Sequence, residues 1–153
     1  MRILIAAVGR LRAGPLRDLY DDYTGRLPWT ASLRELEAAT GRSAAERQRR
    51  EAELILGAIP PGAILVALDP RGRSITSEDF ARKMGQWRDG GSGTVVFAIG
   101  GPDGFDDRLR ESAQLMLSFG SLTWPHMLVR VMLAEQLFRA SSILSGHPYH
   151  RAG

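Results

Sequence analysis

Four apolar runs govern what this chain can become. Residues 2–8 (RILIAAV), 63–69 (AILVALD), 94–99 (TVVFAI) and 114–119 (QLMLSF) are bounded by glycine, proline or charged residues, and none alternates strictly between apolar and polar positions. A strand with one wet face alternates; a strand covered on both faces does not. Helical patterns separate the runs. Residues 15–25 carry Pro15 at the start and Gly25 at the end, and 43–57 open with Ser43 followed three residues later by Glu46, a capping box. A third helix runs to about Asp89 from a cap at Thr76 or Ser77, a short one spans 106–112, and a long one spans 128–144. Residues 33–38 (LRELEA) alternate, as an edge strand does. Strand and helix by turns predict an α/β fold with a mostly parallel sheet covered by helices on both faces.

The chain has 153 residues and reads as one domain, 1–153, long enough to bury a core without cross-links. No apolar run approaches the roughly 20 residues of a membrane span, so no membrane is expected among its partners. Cysteine is absent, which removes disulfides, a thiolate nucleophile and Cys-based zinc sites. That usage suits a reducing compartment, and the expected location is the cytoplasm. The formal charge is +3, and every basic residue except Lys83 is arginine. Such a bias arises from base composition, or serves a polyanionic partner, since guanidinium matches phosphate geometry.

Chemistry concentrates where strands end. "LDPRGR" (68–73) and "AIGGPDGF" (98–105) follow apolar strands, and "GSLTWP" (120–125) follows the last one. In open α/β sheets ligands bind beyond the carboxyl ends of the strands, so three such loops side by side would make one pocket. Glycines at 100 and 101 let a ligand approach the backbone, and a Cβ at Gly101 would take that room; an ordinary tight turn is the competing reading. Neither a GxGxxG fingerprint nor a P-loop lysine is present. The helix at 129–144 is apolar nearly all round, as a central core helix is, or one shared with a second subunit. The tail "HPYHR" (147–151) is a frayed end, or a set of groups able to stack on a base, bind phosphate and move a proton. "GRSAAERQRR" (41–50) is a solvated helix face or an RNA patch.

"IGGPDGF", then "SLTWPHMLVRVMLAEQLFRA", then "HPYHR" resembles the ribosomal large subunit methyltransferase H family, in this order and spacing and along the whole chain. Trp124, Met127 and Gly146 depart from the residues common there, at the pocket rim and tail hinge. The resemblance implies a SPOUT-type α/β trefoil knot and an obligate homodimer. It implies S-adenosyl-L-methionine as cofactor, held by Leu68, Gly101 and the segment Gly120, Ser121, Leu122, Thr123, Trp124, Pro125. It further implies methylation of N3 of a pseudouridine in helix 69 of 23S rRNA, in the assembled ribosome and without a metal. Arg130, Tyr149, His150 and Arg151 are the candidates for work on the substrate, with the general base open among them. The quiet chemistry of 120–125 fits this reading, because backbone groups rather than charges would face the cofactor. Two other readings are a non-catalytic ribosome-binding or assembly factor, and a flavodoxin-like protein using "VGRLRAG" as a phosphate loop.

Overall fold

A computed structural model describes residues 1–152. Five strands form one parallel sheet: β1 (Arg2–Val8), β2 (Thr30–Leu36), β3 (Ile64–Arg73), β4 (Thr94–Ile99) and β5 (Leu115–Leu117), in the order β2-β1-β4-β3-β5. The helices are α1 (Pro15–Gly25), α2 (Ala44–Ala58), α3 (Ser77–Asp89), α4 (Asp107–Ser112) and α5 (His126–Ser145).

The unbroken apolar runs hide a period of two. Ile3, Ile5, Ala7, Val66, Val95 and Phe97 point to one face, where Tyr20 of α1, Phe80 and Met84 of α3, and Leu133 and Leu137 of α5 cover them. Ala6, Val8, Leu65, Ala67, Val96 and Ala98 point to the other, under Ala52 and Ile55 of α2, Phe105, and Leu109 of α4. Both faces are dry, so alternate side chains are all apolar. The strand β2 lies at the edge and shows the expected in-out burial, although it begins three residues before the alternating stretch.

Local signals place most helix ends. Ser43 Oγ accepts the Glu46 N–H at 3.1 Å, but Glu46 reaches back to the N–H of Arg42 rather than of Ser43. Thr76, not Ser77, caps α3, through the Asp79 N–H at 3.0 Å. Helix α5 starts at His126, two residues early, with Pro125 at its cap.

The largest departure lies in β3. "PRGR" does not end this strand. Leu68 and Arg73 both pair with Leu117 of β5, so residues 69–72 swing out and return. Asp69 Oδ1 accepts the Arg71 N–H at 2.8 Å and starts the excursion. Gly72 permits the return: a Cβ there would lie 2.6 Å from the Met116 carbonyl, closer than any side chain tolerates. The same excursion binds the chain leaving β5, because Ser118 donates its N–H to Arg73 O at 3.0 Å.

Candidate active site

The carboxyl ends of β3, β4 and β5 open into one cavity of ≈ 750 Å³. Leu68, Gly100, Gly101 and Gly120 form its strand-end walls; Leu122, Thr123, Trp124 and Pro125 close one side, with His126 and Val129 from the start of α5. Seven of the eight expected cofactor residues therefore meet in one place, and Ser121 belongs to the same turn without lining the cavity. Gly120 has φ +107°, which glycine alone adopts easily, and this turns the chain from β5 across the cavity mouth. Trp124 Nε1 donates to Phe119 O at 3.3 Å and steadies that turn. Leu122 stands 71% exposed at the rim.

One face of α2 holds the glycine loop. The Arg47 guanidinium grips Asp103 with two bonds, at 2.7 and 3.0 Å, and Gln48 donates to Asp103 O at 2.6 Å. That grip keeps the Asp103 carboxyl below its usual range. One turn further, Glu51 lies behind Gly101, where a Cβ would stand 2.9 Å from Oε1. The room that glycine leaves at 101 is thus occupied by a carboxylate, which corrects the expectation of an open cradle there. On the opposite wall burial raises the pKa of Asp69, but the Arg71 N–H and the Arg110 guanidinium, 2.9 Å away, more than offset it and hold it below the usual range. Sequence reasoning missed Arg47, Gln48, Glu51, Asp69 and Arg110. Their partners lie 41 to 56 residues away or are brought near only by packing, and no local pattern carries such a signal.

The four residues expected to act on substrate do not join the cavity of their own chain. Arg130 is 0% exposed; its guanidinium bonds Val8 O and Gly9 O at 2.8 Å and Glu35 at 2.9 Å, so it cannot reach a substrate. This corrects its assignment as a substrate contact: it pins the turn after β1. Burial pushes the Glu35 carboxyl up, and the Leu11 N–H and Arg130 outweigh that and lower it. The "VGRLRAG" turn is consequently filled by Arg130 and closed by Leu11, and it takes no part in the cavity.

The tail folds the other way, over α1, α3 and α5. Tyr149 donates its hydroxyl to Glu135 at 3.0 Å and packs its ring edge-on against Phe138. Burial, with Tyr23 and Glu135 close by, raises its phenol well above the usual range. His150 bonds Glu78 through Nε2 at 2.8 Å and Arg139 through Nδ1 at 3.1 Å. Arginine can only donate, so Nδ1 accepts and Nε2 carries the proton. Arg151 is exposed. Beside the tail a second cavity of ≈ 540 Å³ is lined by Tyr23, Phe80, Met132 and Glu135. Leu117, Phe119 and Gly120 line both cavities, as a shared wall. Among the described residues no three His, Asp or Glu side chains gather as a metal-ligand set, and no helix is long and apolar enough to cross a membrane.

The chain belongs to the SPOUT methyltransferase family: the family model described as "Predicted SPOUT methyltransferase" matches residues 1–150. Within that class the chain is similar to proteins named ribosomal RNA large subunit methyltransferase H. The protein of that name from Rhodospirillum centenum is 57% identical over 152 residues, covering 99% of this chain and 100% of its own. The one from Paramagnetospirillum magneticum is 55% identical over 151 residues, covering 99% of both. A solved structure described as a Legionella pneumophila methyltransferase with bound SAM aligns over 90% of this chain and 65% of that one, with TM-score 0.46 and 14% identity.

Proposed function

We propose that this chain transfers the methyl group of S-adenosyl-L-methionine to N3 of a pseudouridine in helix 69 of 23S rRNA, acting as a homodimer on the assembled ribosome in the cytoplasm. The observation that carries the reading is the convergence of Leu68, the glycine loop and residues 120–125 on one cavity, in a chain so similar to proteins named for ribosomal RNA methylation. The cavity suits the cofactor. Its walls are mainly apolar side chains and backbone, its volume is in the range of small-molecule sites, and a buried carboxylate oxygen without a partner lies behind its floor. A trefoil knot belongs to the same reading, as the fold that the family resemblance implies.

When bound, S-adenosyl-L-methionine supplies a sulfonium-activated methyl group. The chain has three remaining tasks: to orient N3, to remove its proton and to exclude water. Backbone groups of 120–125 and Gly101 orient the cofactor. The tail supplies the rest in trans. Tyr149 and His150 are tied to their own α1, α3 and α5, on the far side of the wall shared by the two cavities. A second copy seated on that face, where Leu16 and Leu19 are exposed, would put each tail at its neighbour's cavity mouth. There Arg151 stabilises the negative charge that develops on the flanking carbonyls as N3 loses its proton.

The test is mass mapping of 23S rRNA after incubating ribosomes with the protein and S-adenosyl-L-methionine. One added methyl group is expected on the pseudouridine, and none on ribosomes carrying uridine at that position. Equal methylation of the uridine ribosomes, or none of either, would overturn the reading.

A further inference from the structure

Among the described residues Glu51 is a buried carboxylate near the cavity that forms no ion pair. It is 3% exposed. Its Oε2 accepts a single bond, from the Ala39 N–H at 3.1 Å, and its Oε1 has no partner. Arg47, one turn earlier on α2, spends its hydrogen bonds on Asp103 and Gly41 O and reaches Glu51 only through its field, and Asp69 is held by Arg110. Among the described residues no Arg, Lys or His forms an ion pair with Glu51. A buried charge with no ion pair is costly in an empty protein, and a glutamine could accept the same Ala39 bond without it.

The position of the carboxylate suggests what it matches. It fills the place of the side chain that Gly101 lacks, where a Cβ would stand 2.9 Å from Oε1 and 3.1 Å from Oε2. Gly101 lines the cavity and Glu51 does not, so the carboxylate acts on the cavity from behind the Gly101 backbone. In so dry a wall a charge is felt across that distance far more strongly than through water.

We propose that Glu51 is the counter-charge of the cofactor's sulfonium, acting through the bare Cα of Gly101. This rests on the cofactor assigned above and adds the group that distinguishes the methylated cofactor from its demethylated product. S-adenosyl-L-methionine carries one more positive charge than S-adenosylhomocysteine and nearly the same shape. Glu51 therefore favours the methyl donor over the spent product and helps the product leave.

The test is calorimetry on the wild-type protein and on Glu51→Gln with three ligands: S-adenosyl-L-methionine, S-adenosylhomocysteine and sinefungin, whose amine is cationic where the sulfonium would be. Glu51→Gln should weaken both cationic ligands by roughly tenfold, and S-adenosylhomocysteine by less than about twofold. An equal loss for all three would make Glu51 a support for the loop and overturn the proposal. No loss for any would overturn it too. A Glu51→Gln chain that fails to fold would also count against it, because the empty protein would then need the charge. A wild-type protein that binds none of the three would instead refute the cofactor reading itself.

Discussion

Arg47 and Asp103, 56 residues apart in the chain, meet in a two-pronged ion pair that fastens α2 to the glycine loop of the cavity. The pair is partly open to solvent, so its value lies less in global stability than in where it holds the loop. We expect Arg47→Ala to leave the melting temperature nearly unchanged and to raise the KM for S-adenosyl-L-methionine several-fold with little change in kcat. The swapped double variant Arg47→Asp/Asp103→Arg should recover much of that loss. Equal KM values for wild type and Arg47→Ala would show that the loop holds itself.

Arg110 is the main cationic partner of Asp69, whose side chain is 5% exposed. Arg110→Met leaves that carboxylate buried with only the Arg71 contacts and should cost about 2 kcal/mol, or roughly 4–8 °C in melting temperature. The sign with pH follows from the lowered Asp69 pKa. Its stabilisation is complete above the ordinary carboxylate range and is lost as pH falls through the depressed folded value. In Arg110→Met burial is opposed less, the folded pKa rises, and acid unfolding should begin at higher pH. Melts between about pH 3 and 7 would show the two profiles converging at the acid end.

Arg130 is predicted to be a folding residue. Arg130→Met strands two carbonyls and the Glu35 carboxylate, a loss of about 3 kcal/mol. Melting should fall by roughly 6–12 °C. A variant that melts like wild type but does not methylate would restore Arg130 to the chemistry.

The tail should complement across subunits. A chain ending before His147 keeps its cavity, and Thr123→Arg fills a cavity whose tail is intact. Each alone should be inactive. Thr123 is exposed at the cavity, so the added arginine disturbs no core packing. Co-expressed, they form heterodimers with one site made of two intact halves, and activity should return. Purified heterodimers that stay inactive while both chains are folded would place the tail in cis.

The sequence by itself determined the layers. Apolar runs without alternation mean strands covered on both sides, and Ser43, Thr76 and Gly146 mark helix ends through bonds and backbone angles that need only near neighbours. It also marked Leu68, Gly101 and 120–125, because each lies at or just beyond the carboxyl end of an apolar run. Tertiary structure alone decided the rest. Nothing local says that β3 resumes at Arg73, since the reason is the Met116 backbone pressed against Gly72. Nothing local says that Arg130 turns inward, since its partners Val8, Gly9 and Glu35 lie about a hundred residues earlier. The same holds for Glu51, which in sequence is one charge on a charged helix. Periodicity reports which face of an element is buried; which charge meets which partner is decided only when the elements pack, and that pairing made the cavity.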